Sequence, residues 1–284
     1  MAYSEVAAET AQPLVSVMMP AFNVEALLPA ALDSLIAQSY RNWEAVVVDD
    51  GSTDGTAGVL RKYAAHEPRI RPIFSPHGGR GLARNTSLEH CRGDFIALLD
   101  SDDLALPDRL EKQVQFLSQY PEFGAVSGQC VSFAGEPVID LSKLMPWPTD
   151  PDEISDSLKA GRMRILNGAA MLRRQVFDQF GGYRVELRRA QDYEFFRRLA
   201  LGGVRLGATR DIAILYRQDR LIPTFKYYLE SEMYRHYANE LHGGYDEGFE
   251  TFCASGKGRM LSAVTRARYG YLFVKLALRY RRIR

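Results

Sequence analysis

Along the first hundred positions, apolar residues fall into short uninterrupted runs, separated by stretches where they recur every three or four positions. Leu14-Val15-Ser16-Val17-Met18-Met19, Ala45-Val46-Val47-Val48 and Phe95-Ile96-Ala97-Leu98-Leu99 are such runs, with a fourth near 69–74. Between them, residues 25–38 place Leu28, Leu32, Leu35 and Ile36 on one helical face, and further helices are predicted near 54–66 and 80–91. Apolar runs without alternation predict strands covered on both faces, and strands alternating with helices predict crossovers. The predicted class is therefore α/β, with a mostly parallel sheet flanked by helices. Pro107 opens another helix, which stops before Pro121. Beyond residue 120 the pattern loosens. Gly135, Pro137, Pro146, Pro148 and Pro151 make 134–153 read as a long loop. A strand near 165–172, a helix near 191–201 and a strand near 204–216 follow, and then helices near 221–241 and 256–281. This reading divides the chain into a body at 1–217 and a helical extension at 218–284.

Composition narrows the class. With 46% hydrophobic and 25% charged residues the chain is an ordinary globular protein. No apolar run approaches the eighteen or so residues of a membrane span, and no basic segment followed by an apolar core marks a leader. Cys91, Cys130 and Cys253 are unpatterned, which fits a reducing, cytoplasmic setting. The net charge of +1 conceals an asymmetry: residues 257–284 hold nine Lys or Arg and no acid. The rest is acidic.

Two apolar strands end in carboxylates: Asp49-Asp50 after Val46-Val47-Val48, and Asp100-Ser101-Asp102-Asp103 after Leu98-Leu99. In an open parallel sheet ligands bind beyond the carboxyl ends of the strands. Five acids delivered to that edge repel one another unless a cation or a donor-rich ligand sits among them. Mg²⁺ or Mn²⁺ fits, taking a few carboxylate oxygens and sharing its shell with substrate phosphates. The alternative use of such residues is in turns and helix caps. His77-Gly78-Gly79-Arg80-Gly81 lacks the spacing and the Lys-Ser/Thr ending of a P-loop, and reads as a flexible helix entry.

Five segments in order carry a resemblance: Val15 through Asn23 with Leu35-Ile36-Ala37-Gln38-Ser39-Tyr40, Val48 through Thr56, Gly78 through Asn85, Leu99 through Asp103, and Ala190-Gln191-Asp192-Tyr193-Glu194. Together they resemble the inverting family 2 glycosyltransferases of GT-A fold, over about residues 13–217. The resemblance implies transfer of a sugar from a nucleotide diphosphate, UDP being expected, to an acceptor hydroxyl. It implies that Pro20, Ala21 and Asn23 line the nucleotide and that Asp50 accepts a hydrogen bond from the base. Arg84 would stand near the diphosphate. Asp100 and Ser101 would lie near the nucleotide sugar, Asp102 with Asp100 would hold Mn²⁺ or Mg²⁺, and Asp103 would stand behind them. Asp192 is implied as the catalytic base, and a single displacement would need no nucleophilic side chain. Members of the family often carry a His in a Tyr-Arg-x-His run. Here Tyr216-Arg217-Gln218-Asp219 lacks it, leaving Arg217 as a weaker candidate for a phosphate contact.

Two other classes stand beside this reading. A nucleotide-sugar binder without turnover would keep the fold, although Asp192 alongside Asp100 and Asp102 argues against it. A nucleotidyltransferase should have a Gly-rich basic loop where Pro20-Ala21-Phe22-Asn23 stands. The acceptor is open among carbohydrate, lipid-linked and protein classes, and the sequence leaves the oligomeric state open. Nothing points to nucleic acid. In the tail, Met260, Val264, Ala267, Tyr271, Val274 and Leu278 form a stripe among basic residues. It predicts either peripheral contact with an anionic membrane face or packing on the body or a second subunit.

Overall fold

The computed structural model describes residues 12–218 and 225–281, with side chains described as far as Gly270. Strand β1 (Val15–Ala21) runs parallel to β2 (Trp43–Asp50) on one side and β4 (Phe95–Leu98) on the other, and β3 (Ile70–Ser75) lies parallel outside β2. Helices α1 (Leu28–Ile36), α2 (Thr56–His66) and α3 (Arg80–His90) form the crossovers. The unbroken apolar runs are explained by which core each position enters. Val15, Val17, Met19, Ala45, Val47, Phe95 and Ala97 join one core, under α1 and α4 (Arg109–Gln119). Met18, Val46, Ile96 and Leu98 join the core on the opposite face, under α6 (Arg174–Phe180) and α7 (Gln191–Leu201). Each strand alternates, but both faces are dry.

Beyond β4 the sheet is mixed rather than mostly parallel. A three-residue strand, β8 (Met171–Arg173), runs antiparallel both to β4 and to β6 (Phe123–Phe133). The segment expected as a strand near 165–172 enters β8 through a short 3₁₀ turn at Asn167–Ala169, so it returns against β4 instead of crossing over. Strand β9 (Arg205–Arg217) lies parallel to β6, and β5 (Leu104–Ala105) caps it antiparallel. The order is β3-β2-β1-β4-β8-β6-β9-β5, with β7 (Leu144–Met145) beside β6. The loop expected at 134–153 ends sooner, because Pro151 opens helix α5 (Pro151–Lys159).

Three helices follow: α8 (Phe225–His242), α9 (Phe249–Ala254) and α10 (Gly256–Arg281). Residues 219–224, within the helix start expected near 221 and including Asp219, lie outside the described residues. Met233, Tyr234, Tyr237, Ala238 and Phe252 form a third core with Leu187 and Tyr193 of the body. Over its described side chains, helix α10 does not pack through the expected stripe. Met260 and Val264 are 58% and 60% exposed, whereas Leu261 joins the third core, Thr265 is buried and Tyr269 stacks on Tyr228 at 5.9 Å. The packed row lies one position along from the stripe, since i, i+4 and i+8 share a helix face. Tyr271, Val274 and Leu278 fall outside the described side chains. Among the described residues no helix is long and apolar enough to cross a membrane.

Candidate active site

The tips of β1 and β2 lie side by side, with Ala21 in register with Asp49. Pro20 is half-buried and Ala21 buried there. Asn23 takes a left-handed conformation, φ 49°, which Asn tolerates better than most residues. Its N–H donates to Ser52 Oγ at 2.9 Å, and its Oδ1 accepts from the Thr53 N–H at 2.8 Å, so it joins the two tips. Asp49 turns away from the edge to accept from the Ser52 N–H at 3.0 Å, as turn formers do. Asp50 does more. Its carboxylate accepts from the Gly78 and Gly79 N–H groups at 2.8 and 2.9 Å and lies 3.0 Å from His77 Nδ1. Gly51 is required by this closeness, because a Cβ on it would lie 2.6 Å from the His77 nitrogen, at φ 69°.

Phe22 and His77 were not singled out from the sequence. They stack at 4.4 Å between ring centroids, and Phe22 is 41% exposed beside Asp50. A large exposed aromatic ring at a strand tip offers a flat apolar face to a planar ligand. The signal was available in the apolar run continuing past Pro20.

Gly79, held by Asp50, precedes α3, and α3 carries Arg84 to the second acid loop. Arg84 is 7% exposed and its Nη2 lies 3.1 Å from Asp100 Oδ1. Its guanidinium stands 5.1 Å over the buried Tyr183 ring. Burial opposes the charge of Arg84, but the fields of Asp100, Tyr183 and Asp192 outweigh it and hold the guanidinium more firmly protonated than usual. Arg84, Asp100 and Asp192 therefore share one electrostatic neighbourhood around Tyr183. Asp50 is linked to it through the loop before α3. Tyr183 is a residue that sequence reasoning missed; its ring packs at a tilt on Phe195, 4.8 Å between centroids, and its hydroxyl donates to Asn167 Oδ1 at 3.1 Å.

The acid loop itself is short and closed, the Asp103 N–H donating to the Asp100 carbonyl at 3.1 Å. Ser101 is buried, Asp102 half-buried, and the Asp100 side chain 36% exposed. Asp103 is buried: its Oδ1 accepts from the Arg217 N–H at 2.9 Å, and its Oδ2 has no hydrogen-bond partner. Burial first, then Asp100 and Asp102, push its carboxyl well above the usual range. Arg217 holds the loop rather than facing outward, its Nε donating to the Asp102 carbonyl at 3.2 Å.

Among the described residues no group of three or more acids, His or Cys forms a ready metal cage. Of the three acids in this loop, Asp100 and the half-buried Asp102 are the accessible carboxylates, and Asp103 lies buried behind them.

Asp192 is in the first turn of α7, next to Ala190 at φ 58°. Asn23 and Ala190 are the two non-glycine residues with positive φ among the described residues; Asn23 is itself a sequence-predicted site residue, and Ala190 stands two positions before Asp192. Such outliers persist only where surrounding contacts over-determine them. Here the constraint is Glu194, which is fully buried and bound by Arg184 at 3.1 Å and Arg198 at 2.9 Å. Arg198 also reaches the Gly182 carbonyl at 2.6 Å, tying α7 to the turn before Tyr183.

Against known proteins, the profile described as Glycosyl transferase family 2 matches residues 16–181. The chain belongs to glycosyl transferase family 2. Among curated relatives, EpsE of Bacillus subtilis, named as a glycosyltransferase, is 35% identical to this family 2 enzyme over 211 residues, 73% of this chain and 74% of EpsE. A relative in Escherichia coli, WfgD, named a UDP-Glc:alpha-D-GlcNAc-diphosphoundecaprenol beta-1,3-glucosyltransferase, is 38% identical over 105 residues, 37% of this chain and 41% of WfgD. Among solved structures, Staphylococcus aureus TarS 1-349 in complex with UDP-GlcNAc matches with a TM-score of 0.62 at 22% identity, covering 79% of this chain and 66% of that one. The mannosyltransferase PcManGT of Pyrobaculum calidifontis, in complex with GDP-Man and Mn²⁺, matches at 0.59 and 21% identity, over 95% and 81% of the two chains. These structures share the GT-A fold with the family 2 enzyme. The profile ends before Asp192 and the C-terminal helices.

Proposed function

We propose that this glycosyltransferase moves a sugar from a nucleotide diphosphate, with UDP as the expected carrier, onto an acceptor hydroxyl in one inverting displacement. The observation that carries the proposal is the buried Arg84, held 3.1 Å from Asp100 and over the Tyr183 ring, on the helix whose entry at Gly79 is bound by Asp50. Pro20, Ala21 and Asn23 line the nucleotide, and Phe22 offers its ring to the base. Asp50 retains lone pairs beyond those given to the loop amides, so it can accept from an imide N–H. Arg84 faces the diphosphate with the guanidinium N–H groups not bonded to Asp100, and Ser101 supports the sugar-nucleotide side of the loop. Asp102 and Asp100 would hold Mn²⁺ or Mg²⁺, which supplies positive charge against the leaving diphosphate. Asp192 orients the acceptor hydroxyl and takes its proton as the oxygen bonds to the anomeric carbon and the bond to the diphosphate breaks.

The acceptor is proposed to be a carbohydrate or a lipid-linked sugar, the latter favoured by the relative that acts on a diphosphoundecaprenol-linked substrate. The free thiols of Cys91, Cys130 and Cys253 support a cytoplasmic setting. The exposed Met260 and Val264 among the basic residues of α10 support contact with the inner membrane face.

A thermal-shift panel of UDP-, GDP- and dTDP-sugars with and without Mn²⁺ tests the donor class, because a ligand bound only by the native state raises its melting temperature. Metal-dependent stabilisation by one nucleotide is expected. Asp192→Asn should bind that donor normally and lose transfer by roughly 10²–10⁴-fold. Transfer at the parental rate would show that Asp192 is not the base.

A further inference from the structure

Helices α8, α9 and α10 enclose a groove of about 540 Å³, within the range of small-molecule sites. Its floor is apolar, built by Leu229, Met233 and Phe249, while Lys226, Arg259 and Arg266 stand exposed on its rim. Arg259 and Arg266 bond to the Ala254 carbonyl at 2.5 Å and to Ser262 Oγ at 3.4 Å, so their hydrogen-bonding partners here are neutral. The acid lining the groove, Glu230, is already bound to Arg189 at 2.9 Å. An apolar trough with a cationic rim matches an anionic amphiphile. Burying hydrocarbon is favourable in proportion to the apolar surface removed from water, and Lys and Arg make charge-assisted hydrogen bonds to phosphate oxygens. A free sugar would use neither feature.

The groove is also joined to the catalytic end of the molecule. Leu229 packs in the same cluster as Ala190, and Arg189, bound to Glu230, lies 4.1 Å over the Tyr227 ring. Asp192 follows at the start of α7. We propose that this groove receives the lipid and phosphate end of an isoprenoid-diphosphate-linked acceptor, whose sugar then points toward Asp192. The proposal rests on the lipid-linked acceptor reading above and goes beyond it by assigning the lipid a place.

The test uses the full chain and a dansyl-labelled farnesyl diphosphate, followed by fluorescence anisotropy in saturating UDP and Mn²⁺. Binding should survive the nucleotide. The double variant R259Q/R266Q should weaken it about tenfold or more, as expected for losing two charged hydrogen bonds. M233W, which fills the apolar floor from α8 and leaves the α10 arginines in place, should weaken it as well. UDP binding, read by melting temperature in the same samples, should be unchanged in both variants. Displacement of the probe by UDP, competition by inorganic pyrophosphate as strong as that by unlabelled farnesyl diphosphate, or parental affinity in the double variant each overturns the proposal. Arginine-dependent binding to phosphatidylglycerol vesicles without binding of the probe assigns the face to the bilayer and overturns it too. Loss of UDP binding by the parent protein would count instead against the donor reading, so the two failures are distinguishable.

Discussion

Asp103 is held at the rim of the site in a setting that disfavours its charge, with one oxygen unpartnered and two other carboxylates near. For an acid raised in the native state, stability is lost as pH rises from the ordinary value through the raised one, because the unfolded chain then releases the proton more readily. Asp103→Asn has the same shape and no charge. It is expected to raise the unfolding free energy at pH 8 by on the order of 1 kcal/mol, and to lose that advantage as the pH is lowered; calorimetry at both pH values checks this. Ala190 gives a second prediction. Ala190→Gly should be tolerated, since only the left-handed backbone is being asked of it, whereas Ala190→Val should destabilise by roughly 1–3 kcal/mol. The positions proposed for the site stood out at this scale: Asp100 and Asp102 follow an apolar strand directly, and Asp192 stands in the first turn of a helix. Tyr183 and Glu194 were not legible, because a Tyr or a Glu gains its meaning here from full burial beside Arg84 or Arg198, which sequence spacing does not reveal.

At the scale of elements, the sheet is pinned at the end opposite the site. Glu44 on β2 is 3% exposed and accepts from Ser16 Oγ at 2.7 Å, from the Arg92 N–H at 2.8 Å and from Arg71 Nη1 at 2.7 Å. Burial alone would raise its carboxyl, but the hydrogen bonds from Arg92, Ser16 and Arg71 prevail and hold it near 2, against an ordinary 4.5. The sign is that of a depressed acid: its stabilisation is complete above about 4.5 and is lost as pH falls through about 2. Glu44→Gln should therefore lower stability at pH 7 by on the order of 3 kcal/mol and flatten the acid limb of an unfolding curve between those values. Strands β1 to β4 were readable because crossover strands are buried on both faces and so are unbroken apolar runs. Strand β6 was not. Gly124, Ser127, Gly128, Gln129 and Ser132 interrupt its apolar positions, yet it lies inside the sheet between β8 and β9, where Gln129 bonds to the Thr209 carbonyl at 2.7 Å. Helix α5 had a readable start that the surrounding prolines masked: Asp150 accepts from the Glu153 N–H at 2.8 Å with Pro151 in the first turn, the arrangement that opens helices.

For the molecule as a whole, the third core decides how the extension and the body behave together. Phe252 is 1% exposed, packed against Tyr237 at 5.6 Å between rings, and shares its cluster with Tyr193 of α7. Phe252→Ala should cost about 3–5 kcal/mol. It should also lower kcat with little change in donor affinity, since it loosens the helix bearing Asp192 and leaves the β1 and β2 tips alone. Parallel measurements of transfer rate and UDP binding separate the two effects. The charge asymmetry of the tail was plain in the sequence. The face on which α10 packs was not, because apolar stripes one position apart look alike until a partner helix selects between them.

The shared cluster also bears on how such enzymes diversify. A recombination joint placed at the end of β9, where the sheet finishes, would leave Leu187 and Tyr193 facing a foreign helix pair. A chimera that exchanged α8 and α9 together with the 184–201 segment would instead carry a complementary surface intact. Inheritance in this lineage should then favour swapping that block as a unit, with the nucleotide-facing half of the sheet passed on unchanged.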